Sequence, residues 1–207
     1  MKRGLFIVID GPEGGGKTTQ ARILTKELKK QDYKIILTRE PGGTKISEKI
    51  RRILLDPKNK KMSRITELLL YLAARDQIIK EIILPALKRK MIVVCDRFLP
   101  STFVYQYYTR GLNLKLINFL NKIVTQGLTP DLTFILDVEP KIGFKRLNQR
   151  KRKLDRFEKE NLKFHQKIRK GYLEFIKRNP SVVKIDTNLM SIKEANRKIL
   201  EIVIKKL

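Results

Sequence analysis

The stretch Ile9–Gln20, IDGPEGGGKTTQ, sets four glycines and a lysine ahead of two threonines, with one carboxylate, Glu13, inside the loop. Gly11 to Thr18 satisfies the spacing G-x-x-x-x-G-K-[ST] in full. An apolar run precedes it and a helical pattern follows, which is the context that separates a phosphate-binding loop from a glycine-rich turn with an incidental lysine. Glycines let the backbone curl so that successive N–H groups point inward at phosphate oxygens, and the helix N-terminus adds its partial positive charge. Gly11, Pro12, Glu13, Gly14, Gly15, Gly16, Lys17, Thr18 and Thr19 are therefore the candidate site for the phosphates of ATP or a similar triphosphate. Lys17 is placed to bridge the outer phosphates as a catalytic cation, and the Thr18 hydroxyl to ligate Mg²⁺.

Working outward, short and nearly continuous apolar runs recur at 4–10, 33–38, 91–96, 132–138 and 181–186. Strands buried on both faces by helices read this way, whereas a half-exposed sheet alternates. Helical patterns lie between them at about 16–31, 44–55, 64–89, 101–109, 114–127, 140–151, 158–178 and 191–206. The alternation predicts an α/β fold of the P-loop nucleoside triphosphate hydrolase type. Its five-stranded parallel sheet is flanked by helices on both sides, in one domain spanning 1–207.

Composition narrows the setting. With 42% apolar and 33% charged residues in 207, the chain reads as globular, and no apolar run nears the roughly 18 residues of a membrane span. The charged and apolar start, MKRGLFIVID, is too short to be a secretory core of roughly 7–15 residues, because Asp10 and the glycine loop interrupt it. A single cysteine, Cys95, permits no intramolecular disulfide and suits a reducing cytoplasm. The net charge of +26 would draw any polyanion, but the basic residues are spread over many segments without aromatic interleaving. A compositional bias accounts for them better than a nucleic-acid face does, so neither nucleic acid nor membrane is expected as a partner.

Within P-loop proteins, a GTPase needs an N-K-x-D guanine reader, and the nearest match, NKIV at 121–124, lacks the aspartate. The length suits a small phosphotransferase. Segments that follow strands converge on one crevice in an open parallel sheet, and TREPGGT (38–44) and CDRFLPSTFVYQ (95–106) both do so, while LYLAARDQ (70–77) lies on an apolar helical pattern. Asp96 ends a strand within reach of a Mg²⁺ shell, and Arg97 offers a planar fork to a second phosphate.

Taken in order, the P-loop, TREPGGT, RRILLD, LLLYLAARDQ, DRFLPST-x-x-YQ, GLTPDLTFILDV and LDRFE resemble the thymidylate kinase family over nearly the whole chain. The resemblance implies transfer of the ATP γ-phosphoryl group to dTMP, giving dTDP. It implies that Arg51 and Arg97 hold the acceptor phosphate, that Tyr71 stacks on the base, and that Arg75 meets thymine O4. Ser101, Thr102 and Gln106 join the same site, Thr102 and Gln106 at the base's other polar edge. Tyr105 crowds the 2′ position, and Glu13 reaches the 3′-hydroxyl. Without the surrounding motifs, Tyr71 at helical spacing with Leu68, Leu72 and Arg75 reads as core packing ahead of a stacking role. A kinase for another acceptor, such as dUMP, UMP or a small alcohol, and a basic nucleic-acid-binding ATPase are the rival readings.

Phosphoryl transfer to an acceptor already anionic needs cations and positioning rather than a general base. The lone His165, inside a charged helical pattern, therefore reads as a surface residue. The resemblance divides by whether an arginine comes from the P-loop or from a lid. Gly14 follows Glu13 here, which implies the bacterial lid-arginine type, with a lid at about 141–158. Arg150 and Arg152 are its candidate catalytic residues, Arg146 stays in the set, and a solvated basic connector is the plain alternative. Asp155 implies a contact on the sugar side of dTMP, or else, with Glu158, a cap on the following helix. Family resemblance implies a homodimer, for which the apolar helical stretches 64–89 and 114–127 are the available faces.

Overall fold

The computed structural model describes residues 3–149 and 153–207. Among these residues five strands, β1 (Phe6–Asp10), β2 (Ile35–Arg39), β3 (Ile92–Asp96), β4 (Leu132–Asp137) and β5 (Val183–Asp186), form one parallel sheet in the order β2-β3-β1-β4-β5. Helices α1 (Lys17–Lys29), α2 (Lys45–Leu55), α3 (Arg64–Ile78), α4 (Leu84–Lys88), α5 (Leu99–Thr102), α6 (Leu114–Thr125), α7 (Pro140–Asn148), α8 (Leu162–Arg178) and α9 (Ile192–Ile204) connect and flank it.

Period-two geometry shows why β1 is apolar throughout. Ile7 and Ile9 face a core with Leu24 and Leu28 of α1 and Ile199 and Val203 of α9. Phe6 and Val8 face the opposite core, with Ile78, Leu87 and Phe98. Each successive side chain is buried on one side or the other. β1 lies between β3 and β4, so its carboxyl end opens at the centre of the sheet edge, where ligands of such sheets bind.

Two expected helices are altered by local chemistry. The 64–89 pattern breaks into α3, a π-helical turn over Ile79–Ile83, and α4. Pro85 has no N–H and its ring crowds the carbonyl four residues back, so the wider turn accommodates it. The 101–109 pattern is α5 followed by a π-helical segment, Phe103–Thr109, a geometry that often re-aims side chains at functional sites.

The helix expected from 158 begins at Leu162 instead, because the Asn161 side chain accepts from Phe164 N at 3.0 Å. Asn161 is thus the cap of α8. Asp155 caps a preceding turn, accepting from Phe157 N and Glu158 N at 2.9 and 3.0 Å, which corrects the expectation that it and Glu158 cap the helix.

Candidate active site

The P-loop leaves β1 at Gly11 and enters α1 at Lys17, with Gly11, Gly14 and Gly16 at φ 139, 76 and 88. At Gly14 a further constraint applies: a Cβ would lie 2.4 Å from Cα of Gly143 in α7. The loop and α7 are in backbone contact, leaving no room for a side chain. Lys17 is buried, and its Nζ donates to the Pro12 carbonyl at 2.6 Å. Burial, with Arg97 as the second cause, lowers its pKa to about 8, although Glu13, Asp96 and Asp10 pull the other way. Thr18 Oγ1 donates to Asp96 Oδ2 at 2.5 Å, joining the loop to the end of β3.

Beside this loop lies a cavity whose wall includes Glu13, Arg51, Tyr71, Arg75, Arg97, Ser101, Thr102, Tyr105, Gln106 and Asp155. Every residue expected for the acceptor therefore meets in one place, although the positions run from 13 to 155. The cleft over Gly14, Gly16, Lys17, Thr18 and Thr19 shares Glu13, Arg51, Arg97 and Asp155 with it. The two spaces are contiguous, which a transfer between two bound phosphates requires.

Glu13 is the hinge between them. Its Oε1 accepts from Arg97 Nη2 at 2.9 Å and from the Tyr105 hydroxyl in a short contact. Its Oε2 lies 3.6 Å from Nδ1 of His165. Burial alone would raise the Glu13 carboxyl, but His165, Arg97, Lys17 and Tyr105 outweigh it and hold the group far below the usual carboxylate range. The expectation of an exposed His165 is thus overturned: the ring is only 5% exposed, packed edge-on against Phe144 and Phe164. The charged neighbours of His165 in sequence face solvent, while the helix turns this one position inward.

Arg97 adopts φ 74, a left-handed conformation costly for a side chain with a Cβ. Asp10, at the end of β1, is among the groups that hold it there. Fully buried, Asp10 accepts from Gly11 N, the Tyr172 hydroxyl and Ser101 Oγ, each at 2.8 Å, from Ser101 N at 3.0 Å and Phe98 N at 3.2 Å, and faces Arg97 Nη1 at 3.3 Å. Sequence reasoning assigned Asp10 no role. A carboxylate closing an otherwise apolar strand directly before the glycine loop was the signal.

Arg75 is 2% exposed, ion-paired to Glu40 Oε2 at 2.7 Å, and donates to Asn121 Oδ1 at 2.6 Å. Glu40, from the loop after β2, is a second unforeseen participant. Arg51 Nη1 donates to the Pro41 carbonyl at 2.6 Å, which fixes it on the same loop. Tyr71 projects apart from Leu68 and Leu72, which pack with Ile117. Its ring packs instead against the core group of Tyr105 and Phe157, 6.5 Å from the Phe157 ring, and lines the cavity as well, so Tyr71 is both a packing residue and part of the wall. Thr102 is buried on the same wall.

Arg150 and Arg152 lie outside the described residues. Arg146 is engaged, donating to the Gly14 carbonyl at 3.3 Å and the Thr187 carbonyl at 2.7 Å. The end of the charged run is no solvated connector, because Arg156 and Glu158 are 8% and 5% exposed. Arg156 donates to the Leu54 carbonyl at 2.9 Å and to Glu67 at 2.7 Å.

For Mg²⁺, the available donors at the loop are a hydroxyl and a carboxylate, Thr18 and Asp96, both hard oxygens of the kind this ion takes. Among the described residues, no group of three or more His, Cys, Asp or Glu side chains is arranged to hold a metal ion by itself. No described helix is long and apolar enough to cross a membrane.

The thymidylate kinase family model matches residues 9–199. The chain is 42% identical over 203 residues to the thymidylate kinase of Thermoanaerobacter sp. (strain X514), covering 98% of each. It is 46% identical over 178 residues to that of Caldanaerobacter subterraneus subsp. tengcongensis, covering 86% of this chain and 84% of the relative. The crystal structure of thymidylate kinase from Ehrlichia chaffeensis superposes with a TM-score of 0.79 at 32% identity, covering 97% of this chain and 99% of that one. With the loop, the sheet order and the paired cavities in place, these matches establish that the chain belongs to the thymidylate kinase family.

Proposed function

We propose that the paired cavities hold ATP and dTMP with their phosphates facing across Glu13 and Arg97. The reaction of the family is ATP-dependent phosphorylation of dTMP to dTDP. The observation that carries the assignment of roles is the convergence of the expected acceptor residues on one cavity that opens into the P-loop cleft.

Lys17 and the loop amides bind the donor phosphates, while Arg97 and Arg51 hold the acceptor phosphate. Tyr71 offers its ring face to the base, Arg75 a donor to a ring carbonyl, and Thr102 and Gln106 the remaining polar contacts. Tyr105, buried and hydrogen-bonded to Glu13, leaves little room at the 2′ position of the sugar. Its hydroxyl is pushed well above the usual tyrosine range by burial and Glu13, against the pull of Arg97, so it stays a donor. Asp155 closes the cavity on the sugar side. Thr18 and Asp96 would hold Mg²⁺, which when bound neutralises charge on the donor phosphates.

The lid-arginine type is supported by the contact of Gly14 with Gly143, which excludes a P-loop side chain at that position. Arg146 is already committed to two carbonyls. Arg150 and Arg152, in the lid at 141–158, are accordingly our catalytic cations, acting once the acceptor is bound. We further propose a homodimer through the helices whose apolar side chains stand exposed: Ile65 and Leu69 of α3 and Leu116, Phe119 and Ile123 of α6. The one cysteine, Cys95, is free and buried, in keeping with a reducing cytoplasm.

The test is ADP formation measured across a panel of nucleoside monophosphates. dTMP should give the highest kcat/KM. Faster turnover of UMP, or ATP hydrolysis that requires nucleic acid and no mononucleotide, would overturn the reading.

A further inference from the structure

Glu67, in α3, is a buried carboxylate with 1% exposure that gathers donors from two other parts of the chain. Its Oε2 accepts from Arg156 Nη2 at 2.7 Å and Arg110 Nη2 at 3.4 Å. Its Oε1 accepts from Arg110 Nε at 3.4 Å and from Gln106 Nε2 at 3.2 Å. A carboxylate ion-paired to two arginines is an acceptor only, so the amide of Gln106 has one sense: nitrogen toward Glu67. The carbonyl Oε1 is then the atom the amide turns to the cavity that Gln106 lines beside Arg75. Arg75 is likewise preset, by Glu40 and Asn121, and presents only N–H groups.

We infer that Glu67 is a specificity-determining positioning residue: by fixing the amide sense of Gln106, it sets an acceptor beside the Arg75 donor and so selects a 4-oxo, 3-NH pyrimidine over a 4-amino one. The inference rests on the proposal that the base lies between Tyr71, Arg75 and Gln106. Thymine and uracil both present a carbonyl to the guanidinium and an N3–H to Oε1. Cytosine presents an amino group to the guanidinium and a lone pair to Oε1, so both contacts fail. A polar contact left unpaired in a buried site costs roughly 10- to 100-fold in kcat/KM.

The experiment compares kcat/KM for dTMP, dUMP and dCMP in the unaltered chain and in Glu67→Gln, with unfolding temperatures recorded. The new amide can accept from Arg156 through its oxygen and donate to Gln106 through its nitrogen, which lets Gln106 turn over and face the cavity with Nε2. The dTMP and dUMP values should fall together by roughly 10- to 100-fold, and the dTMP to dCMP ratio by at least about tenfold. A folded variant that keeps the ratio, including one in which all three substrates decline equally, overturns the inference and leaves Glu67 a purely structural counter-ion.

Should Glu67→Gln not fold, Glu67→Gln with Arg110→Gln, which restores the local balance of charge, is read in the same way. Gln106→Leu supplies an independent route, since the amide is lost while Glu67 keeps both arginines. An unchanged ratio there overturns the inference as well. If the unaltered chain uses neither thymine nor uracil best, it is the base pocket itself that has been misassigned. If it prefers dTMP and Glu67→Gln keeps that preference, only the role of Glu67 fails.

Discussion

Arg97 Nη2 donates to Oε1 of Glu13 at 2.9 Å, joining two loops 84 positions apart at the boundary between the paired cavities. The same guanidinium also donates to Ser101 Oγ and faces Asp10. So many partners offset the left-handed backbone at Arg97, a strain of order 1–3 kcal/mol. Because a guanidinium fork is worth about 1.5–3 kcal/mol to an anion, Arg97→Ala should raise the KM for dTMP by roughly 10- to 100-fold. The KM for ATP should change far less. Arg97→Lys, with the charge but not the fork, should fall between. Steady-state kinetics with each substrate varied decides it, and unchanged dTMP kinetics would refute the role.

Lys17 gives a pH prediction. Its pKa of about 8 reflects burial first and Arg97 second, and triphosphate oxygens placed beside it would favour the charged form. Below about 8 the ammonium is already present and ATP affinity should be flat. Above that value binding must take up a proton, and affinity should weaken by up to about tenfold per pH unit. For stability the sign is opposite to that of a paired cation. A depressed lysine costs stability in full below its folded pKa, and the cost is relieved as pH rises toward the ordinary lysine value. Calorimetry at about pH 8.5 in two buffers of different ionisation enthalpy reads the proton directly. Binding without proton uptake would contradict this account.

Gly143 tests the contact between α7 and the P-loop. A Cβ there would stand 2.6 Å from the carbonyl oxygen of Glu13, so Gly143→Ala must displace backbone. Helix propensity alone would make this change favourable by about 1 kcal/mol, which separates the two effects. A displacement near 1 Å in a positioned group costs roughly 100-fold in rate. The expected result is a fall in kcat/KM of that order for both substrates. A variant with unaltered kinetics would show that the loop tolerates movement of α7.

Asp10 is expected to be structural and severe. Asp10→Ala removes the acceptor of five donors, three of them on buried residues, and the carboxylate beside Arg97. Loss of a buried charge partner costs about 3–5 kcal/mol. Asp10→Asn, which keeps one acceptor oxygen, should recover part of that. Urea denaturation measures both, and a loss in Asp10→Ala below about 1 kcal/mol would contradict the network described.

Much of the candidate site was legible because its signals are local. The spacing from Gly11 to Thr18 identifies a phosphate loop without reference to anything distant, and Asp96 and Arg97 announce themselves by closing an apolar strand. Glu67 and His165 were not legible for the opposite reason. Each sits in a helical pattern whose polar neighbours are exposed, and only the partner elements reveal that these two positions turn inward. For Glu67 the partners are Gln106, Arg110 and Arg156; for His165 they are Phe144, Phe164 and Glu13. The break in the 64–89 pattern had a visible cause in Pro85, but its outcome, a π-helical turn rather than an end to the helix, depended on packing against the sheet.

By itself, then, the sequence determined the alternation of buried strands and helices, the phosphate loop, and the residue types an acceptor site needs, since periodicity and spacing are properties of neighbouring residues. Tertiary structure alone decided the strand order, the closeness of Gly14 to Gly143, and which carboxylates pair with the candidate site residues: Asp10 with Arg97, Glu40 with Arg75, Glu67 with Gln106. Those pairings join positions 35 to 87 residues apart. A buried polar group must find its partner wherever the fold delivers one, and no local pattern records where that will be.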